Sequence, residues 1–228
     1  LVERLLNFVN TDEIEVDTEK LKSPVDRKAG LILIGASTGG TLAIQQVLKN
    51  IAPLDCPVVV VQHIPEAFAR PFAESVAHYS GLELYTGDYP VKELKANTLY
   101  LNFKNEHLRI NRKSRTWSLH SFSGSKVNGH IPSVDVLFRS VAGFDCSEVV
   151  AALLTGMGQD GASGLLDLKN RGAYTIAQDA RSSVVFGMPK VAIEMGAAGY
   201  VGSLENIRSQ FLKSNSFESE KIKSKSAA

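Results

Sequence analysis

The chain has 228 residues, of which 44% are hydrophobic and 21% are charged, and its formal net charge is +1. This is the mixture of an ordinary globular protein, which excludes a disordered or fibrous architecture for most of the chain. Basic and acidic residues are nearly equal in number, and no basic stripe interleaved with aromatic residues is present, so we expect no nucleic-acid partner. A chain of this length is expected to form one domain with frayed ends.

The two ends of the chain differ in composition from its middle. Residues 1–28 combine a short amphipathic stretch with a charged run that has no periodicity, which predicts a linker or N-terminal extension. Residues 204–228 are rich in serine and lysine and predict a flexible, solvated tail. The folded domain is therefore expected over residues 29–203.

The apolar runs and the cysteines bear on where the protein resides. The longest apolar runs, such as residues 57–61, are far shorter than the roughly 20 residues of a membrane span, so we expect no membrane insertion. Cys56 and Cys146 each adjoin an apolar run. They are predicted to be buried free thiols in a reducing compartment, which indicates a cytoplasmic protein.

Within the domain, short β-branched runs alternate with segments of helical period. Strands are predicted at residues 31–34, 58–61, 149–154 and 174–177, and helices at residues 42–48, 67–77, 164–169 and after residue 189. Strands that are apolar on both faces and separated by helices are typical of a parallel sheet. The pattern predicts an α/β fold of three layers, with a doubly wound, mainly parallel sheet.

The segment between the second and third of these strands has another period. Residues 82–122 alternate apolar and polar side chains, as at 98–101, 107–110 and 116–119. Alternation with a period of two predicts antiparallel strands. We therefore expect an antiparallel hairpin region added to the parallel sheet.

Three predicted strands are followed by residues that can carry chemistry. Ser37 lies in a G-x-S-x-G sequence after the first strand, His63 follows the second, and Asp160 lies in a glycine-rich loop after the third. Because ligands bind at the carboxyl ends of parallel strands, these residues are expected at one edge. A serine hydroxyl needs a base, and an imidazole base works best when a carboxylate orients it. The pattern predicts a serine nucleophile, a histidine base and an orienting aspartate.

Each residue also has a structural interpretation. Ser37 could be a helix cap or a phosphate ligand, His63 a capping or packing residue, and Asp160 the N-cap of the helix that follows it. Gly156, Gly158 and Gly161 match the spacing of a dinucleotide-binding loop, with Asp179 at the end of the next strand. Spacing alone does not separate an esterase from a nucleotide-binding module.

No metal site is expected, since the five histidines show none of the spacings of zinc ligands.

Five longer strings distinguish the two hypotheses. The strings are LIGASTGGT at 33–41, QHIP at 62–65, PSVDVLF at 132–138, LTGMGQDGA at 154–162, and AQD through VFGMP at 177–189. In this order they resemble the catalytic domain of the CheB-type protein-glutamate methylesterases of bacterial chemotaxis. The resemblance covers about residues 30 to 203.

The resemblance implies hydrolysis of glutamate methyl esters on the cytoplasmic helices of chemoreceptors, often with deamidation of receptor glutamines. It places the catalytic triad on Ser37, His63 and Asp160 and requires no cofactor. The backbone N–H groups of Thr38 and Met157 are the expected oxyanion donors. A third hypothesis is an adaptor that keeps this fold and docks on receptor helices without catalysis.

The sequence departs from the family in two places. Family members usually have Ala-Pro-Gly after the tyrosine of the middle hairpin, whereas Tyr100-Leu101 is followed here by Asn102-Phe103-Lys104-Asn105. The family also usually has an N-terminal phosphorylatable receiver domain. Residues 1–28 are too few to form one, so we expect that it was removed or that this protein lacks it.

Overall fold

The computed structural model describes residues 27–225, with side chains as far as residue 215. The strands in this range are β1 (Leu31–Ala36), β2 (Val58–Gln62), β3 (Glu83–Leu84), β4 (Thr98–Leu101), β5 (His107–Lys113), β6 (Thr116–Phe122), β7 (Val149–Leu153), β8 (Tyr174–Gln178) and β9 (Tyr200–Gly202). The helices are α1 (Gly40–Leu48), α2 (Glu66–Ser80), α3 (Val134–Val141), α4 (Ala162–Asn170), α5 (Met188–Glu194) and α6 (Leu204–Lys225).

Within residues 27–225, seven strands form a parallel sheet in the order β3-β4-β2-β1-β7-β8-β9. The central strand is β1, where Ile32 pairs with Val58 of β2 and with Val150 of β7. Every residue of β1, β2, β7 and β8 is buried, as expected for strands covered by helices on both faces. The predicted doubly wound, mainly parallel sheet is therefore confirmed.

Apolar clusters cover both faces of this sheet. Successive side chains of a strand point to opposite faces, so Ile32 and Ile34 join one cluster while Leu31 and Leu33 join the other. The first cluster is completed by α1, α2 and α6. The second is completed by α3, α4, α5 and the strands β5 and β6. This arrangement is the predicted three-layer architecture.

The predicted antiparallel hairpin is formed by β5 and β6, but it does not include residues 98–101. β5 and β6 pair antiparallel as a two-stranded sheet of their own. Residues 98–101 form β4, which is buried along its whole length and pairs in parallel with β2 and β3, so the antiparallel prediction is wrong there. The alternation misled because Tyr100 is buried with its hydroxyl satisfied by the N–H of Lys95 at 2.9 Å.

The prediction of a solvated tail from residue 204 is wrong for residues 204–215. Leu204, Ile207 and Phe211 recur at helical spacing and are buried in the first apolar cluster. The Ser214 hydroxyl donates within the helix at 2.9 Å, and the Ser214 carbonyl accepts the N–H of Ala29 at 3.0 Å. Serine content misled because the Ser214 hydroxyl is satisfied inside the fold. The rest of the predicted tail has no described side chains.

The predicted linker lies outside the described residues, apart from Arg27 and Lys28. Both of these residues contact the domain. Arg27 Nη1 donates to the Ser147 carbonyl at 3.1 Å, and Lys28 Nζ lies 3.2 Å from Asp55 Oδ2. The chain therefore joins the domain slightly before the predicted boundary at residue 29.

Both cysteines are free and buried, as predicted. Burial raises the pKa of Cys56 to about 12 and that of Cys146 to about 11, so both thiols stay protonated at neutral pH. Of the helices in the described part of the chain, none combines the length and the hydropathy needed to cross a bilayer.

Candidate active site

Three loops meet at the carboxyl edge of the sheet. β1 lies between β2 and β7. The chain leaves β1 toward β2 on one side and fills the other side later with β7, so the switch point of the sheet lies at the carboxyl ends of β1 and β7. Ser37 follows β1, His63 follows β2, and Asp160 lies in the loop after β7. Open parallel sheets bind ligands at such a point. The three predicted residues therefore lie at the expected edge.

The turn that carries Ser37 is held by its backbone. The Ser37 N–H donates to the Thr155 carbonyl at 3.0 Å, and the Ser37 carbonyl accepts from Gly40 N at 2.8 Å. Gly39 has a φ of 79°, a conformation that favours glycine. A Cβ on Gly40 would lie 2.1 Å from Gln62 Oε1, so this position has no room for a side chain. The turn therefore needs its glycines but does not need the partly exposed Ser37 hydroxyl.

Gln62, the last residue of β2, has a positioning role that the sequence did not reveal. Its buried Nε2 donates to the carbonyls of Ser37 at 2.8 Å and His63 at 3.0 Å. In addition, the N–H of His63 donates to the Ala36 carbonyl at 3.0 Å. The Gln62 amide thus holds together the two strand ends that carry Ser37 and His63. Its only signal in the sequence is its place beside His63.

His63 and Asp160 form a buried pair. His63 Nε2 lies 2.9 Å from Asp160 Oδ2, and the two side chains are 8% and 1% exposed. Because a carboxylate only accepts, the hydrogen-bond network assigns the proton of the neutral imidazole to Nε2 and the lone pair to Nδ1. The His63 Nδ1 atom is buried and has no hydrogen-bond partner within residues 27–215.

The two imidazole nitrogens thus have the opposite assignment from that in trypsin-like proteases, where the aspartate binds Nδ1 and the serine faces Nε2. The structure joins His63 to Asp160, and no hydrogen bond joins the Ser37 hydroxyl to His63 in the described part of the chain. Catalytic hydrogen bonds are often long in free enzymes and tighten when substrate binds.

The Asp160 carboxylate accepts five hydrogen bonds from the residues that the structure describes. Besides His63 Nε2, the donors are Asn128 Nδ2, Ser133 Oγ, Val134 N and Asp135 N, at 2.7–3.2 Å. Burial by itself raises the pKa of this carboxyl, but the hydrogen bonds outweigh burial and lower the pKa to about 2. Asp160 is therefore ionised at neutral pH and can stabilise a positive charge on His63.

Asp160 caps a different helix from the one that follows it, so its interpretation as the N-cap of the next helix is wrong. The N-cap of α4 is Gly161, and Asp160 binds the first N–H groups of α3 instead. In return Asp135, in the first turn of α3, accepts the Gly164 N–H in the first turn of α4 at 2.7 Å. Burial raises the pKa of Asp135. The two helices thus exchange carboxylate caps, each at the positive end of the other's dipole.

Two further polar side chains support Asp160. Asn128 Nδ2 donates to Asp160 Oδ1 at 3.0 Å and to Asp135 Oδ2 at 2.7 Å, which provides a neutral link between two carboxylates. His107 is buried, and its Nδ1 accepts the N–H of Ser133, the residue whose hydroxyl donates to Asp160. The Asn-Gly pair at 128–129 is a sequence signal of a tight turn. No sequence signal marks His107.

Thr155 ties the loop after β7 to the Ser37 turn. Its buried hydroxyl donates to the Thr38 carbonyl at 2.9 Å and accepts the Val185 N–H at 2.9 Å. Its N–H donates to Gln178 Oε1 at 2.8 Å. The Thr155 side chain therefore links the loops that follow β1, β7 and β8.

The backbone around Thr38 and Met157 suits the predicted oxyanion site. Among the residues that the structure describes, neither of these two N–H groups donates a hydrogen bond. The Gly156 N–H donates to the Val185 carbonyl, and the Gly156 carbonyl accepts the N–H of Met188. A Cβ on Gly156 would lie 2.7 Å from Ser37 Cβ, so the glycine lets the loop before Met157 pass close to Ser37.

The residues of the nucleotide-binding alternative are largely occupied by protein atoms. Gly156 packs on Met188, and a Cβ on Gly161 would lie 2.5 Å from Val134 Cγ1. The Asp179 carboxylate accepts from the N–H and hydroxyl of Ser182, at 2.8 and 2.6 Å. The glycine spacing therefore has an explanation in packing. Within the described ranges no group of three or more His, Cys, Asp or Glu side chains is arranged to hold a metal ion.

Four large apolar side chains are exposed just beyond the strand ends. They are Leu42 after β1, Phe68 after β2, Met157 after β7 and Val184 after β8, which are 61–72% exposed. Leu42 belongs to the apolar pattern that predicted α1 and is nevertheless 64% exposed. Exposed apolar side chains gathered at one edge are typical of an interaction surface. We call these four residues the apolar rim.

Comparison with known proteins gives a consistent family. Residues 32–211 match the family described as CheB methylesterase. A protein of Bordetella avium named protein-glutamate methylesterase/protein-glutamine glutaminase 2 is 38% identical over 193 residues, which are 85% of this chain and 55% of that protein. A protein-glutamate methylesterase/protein-glutamine glutaminase of Paraburkholderia xenovorans is 42% identical over 174 residues, or 76% of this chain and 48% of that protein. This chain thus spans about half the length of the curated relatives it matches.

A solved structure agrees with these sequence matches. The crystal structure of the Thermotoga maritima CheB methylesterase catalytic domain matches with a TM-score of 0.74 and 32% identity, covering 82% of this chain and 98% of that one. The matched segment, residues 32–211, contains the whole parallel sheet except its first residue and all three loops of the site. The chain therefore belongs to the CheB methylesterase family.

Proposed function

We propose that this protein hydrolyses the methyl esters of glutamate side chains on chemoreceptors and releases methanol. The observation that carries the proposal is the His63–Asp160 pair, which leaves Nδ1 of His63 unengaged at the strand end next to Ser37. A neutral imidazole beside a serine in a glycine-rich turn is suited to acyl transfer. Family membership and the names of the relatives support the same activity.

In the first half of the reaction, the Ser37 hydroxyl attacks the ester carbonyl while His63 Nδ1 takes its proton. The ionised Asp160 stabilises the resulting imidazolium through the Nε2–H bond. The methoxy group then leaves as methanol with the proton from His63. The glutamyl group remains as an ester on Ser37.

The negative charge of the tetrahedral intermediate is stabilised by the backbone N–H groups of Thr38 and Met157. Neither N–H donates to another described residue, so both are available to an oxyanion. In other acyl-transfer enzymes, one such donor lowers the activation barrier by about 3 kcal/mol. The Thr155 and Gly156 hydrogen bonds hold the two loops so that little reorganisation is needed.

In the second half, His63 takes a proton from water, which attacks the acyl-enzyme. Ser37 regains its proton from His63, and the receptor glutamate is released as a carboxylic acid. The same steps convert a receptor glutamine to glutamate, with ammonia in place of methanol as the leaving group. No cofactor takes part in either reaction.

The partner is a methylated helix from the cytoplasmic part of a chemoreceptor. The apolar rim supports this assignment, because an amphipathic helix can place its apolar face across exposed apolar side chains. Leu42 and Phe68 lie in the first turns of α1 and α2, while Met157 and Val184 lie in the loops after β7 and β8. A cytoplasmic location follows from such a partner.

Methanol release from methylated receptor membranes tests the proposal. Ser37→Ala is expected to abolish release and to leave the fold intact, because every hydrogen bond that joins Ser37 to the described residues involves its backbone. Ser209→Ala, on the exposed side of α6, is the matched control and should keep full activity. Turnover by Ser37→Ala at the wild-type rate would contradict the assignment.

The two other hypotheses predict different outcomes in the same experiments. An adaptor would release no methanol even as the wild-type protein and would bind receptor membranes equally well after Ser37→Ala. A nucleotide-binding module would show a thermal shift with NAD or ATP that depends on Asp179.

A further inference from the structure

The ring of His130 lies flat against the ring of His63. The ring centroids are 3.7 Å apart and the planes are 10° from parallel. The hydrogen bond to Asp160 holds one atom of the His63 ring, Nε2, and by itself allows the ring to rock about that bond. A parallel ring at van der Waals distance blocks this out-of-plane movement.

His130 is itself held by a tight turn. Val127 and His130 exchange both backbone hydrogen bonds, at 3.0 and 2.9 Å, and the residues between them, Asn128 and Gly129, have φ values of 52° and 82°. These are the features of a type I′ turn, which Asn-Gly favours. Asn128 Nδ2 anchors the turn to the Asp160 carboxylate at 3.0 Å. The stacked ring and the carboxylate that orients His63 therefore belong to one connected unit.

The electrostatic surroundings of His130 suit a neutral ring. The pKa of His130 is lowered mainly by burial, and then by the positive charge that His63 can carry. Lys126 acts in the same direction, and Asp160 opposes it. A ring that stays neutral can lie against the imidazolium of His63 without charge repulsion.

We propose that His130 is a positioning residue, whose ring holds the His63 imidazole in the plane that presents Nδ1 to Ser37. The proposal rests on the proposed function, because it concerns the base of that reaction. Proton transfer from Ser37 to His63 depends steeply on alignment, and small displacements of reacting groups are costly. The contact is made by the face of the His130 ring, so a flat ring is required and a second base is not.

Three variants test this role by methanol release. His130→Ala removes the ring, and we expect kcat to fall roughly 10- to 100-fold with KM unchanged. His130→Phe keeps a flat ring without nitrogen atoms and should retain most of the wild-type kcat. His120→Ala, at an exposed position on β6, is the matched control and should behave as the wild type. Thermal unfolding of each variant verifies that it is folded.

The ¹⁵N NMR signals of the His63 ring provide a readout that needs no activity. Wild-type protein should show the single Nε2–H tautomer, and His130→Ala should show mixed or exchange-broadened signals. If the wild-type protein releases no methanol, the proposed function fails, while these signals still test the positioning role. Unchanged His63 signals in His130→Ala would overturn the positioning role. So would a folded His130→Phe protein as slow as His130→Ala.

Discussion

Replacing Asp160 with asparagine tests the proposed triad at its most highly connected side chain. Asparagine has the same shape but offers one acceptor and one donor group where the carboxylate offers two acceptors. Oδ1 of Asp160 accepts from three donors and Oδ2 from two. Whichever way the amide is turned, its NH₂ group faces at least two hydrogen-bond donors.

The stability cost can be estimated from the same contacts. The pKa of Asp160 is lowered from 3.8 to about 2, so the fold favours the charged carboxylate over a neutral group by about 2 kcal/mol. A buried donor left without an acceptor costs roughly a further 1–3 kcal/mol. We expect Asp160→Asn to lower the free energy of unfolding by about 3–5 kcal/mol, measured by urea denaturation at pH 7.

The stability difference should depend on pH with a defined sign. The folded-state pKa of Asp160 lies below its unfolded value, so its contribution is present above about pH 4 and is lost as the pH falls through about 2. The difference in unfolding free energy between the wild type and Asp160→Asn should therefore shrink over this interval. A difference that stays constant from pH 5 to pH 2 would contradict the assigned hydrogen bonds.

The effect on activity follows from the tautomer of His63. The amide of the introduced asparagine meets the fewest conflicts when its NH₂ group faces His63, because the imidazole can move its proton from Nε2 to Nδ1. On the other side, Asn128 cannot turn its own amide to accept a hydrogen bond without pointing its oxygen at the Asp135 carboxylate. A proton on Nδ1 removes the lone pair that accepts the Ser37 proton. We expect kcat for methanol release to fall by roughly 10⁴-fold, as for the same change in trypsin.

Asp167→Asn is the matched control. Asp167 is half-exposed and pairs with Arg139 at 3.3 Å, so its stability should change by less than about 0.5 kcal/mol and its kcat should not change. If Asp160→Asn released methanol at the rate of this control, the assignment of Asp160 as the orienting residue would be refuted.

Three further substitutions test the surroundings of the site and the boundary of the fold. Gly156→Ala should abolish methanol release because its Cβ would collide with the proposed nucleophile, Ser37. The control is Gly158→Ala, whose Cβ faces open space; it should cost only about 1–2 kcal/mol of backbone strain and retain activity. Equal activities of the two variants would show that the predicted collision is absent. Gln62→Ala should destabilise the protein by about 1–3 kcal/mol and slow turnover, since the carbonyls of Ser37 and His63 lose the hydrogen bonds that the Gln62 amide donates. An unchanged kcat would contradict the positioning role of Gln62. Phe211→Ala should cost about 3–5 kcal/mol by urea denaturation, against little change for the exposed Phe68→Ala, and equal effects would show that α6 does not belong to the core.

Local patterns were sufficient for the central sheet. The runs at 31–34 and 58–61 are β-branched or leucine-rich and lack turn residues, so they specify strands buried on both faces wherever they pair. The glycines around Ser37 likewise specify a tight turn directly after a strand. These features act within a few residues, which is why the sequence predicts them correctly.

Local patterns failed where the environment of a residue is set by distant segments. The alternation at 98–101 predicted an antiparallel strand, but this strand is buried along its whole length, and the ring of Tyr85 packs against Tyr100. The serine-rich segment from residue 204 predicted a tail, but its apolar positions meet the face of the sheet beside α1. Burial in both cases depends on the partner, which composition does not report.

By itself the sequence determined that Ser37, His63 and Asp160 follow three strands of one parallel sheet, because strand periodicity and turn chemistry are local and parallel strands share an edge. Only the tertiary structure decided which nitrogen of His63 meets Asp160, which helix Asp160 caps, and that His130 covers the His63 ring. These contacts join segments far apart in the chain, 97 residues in the case of His63 and Asp160. Their geometry depends on how two layers of helices pack on the sheet, which no short stretch of sequence specifies.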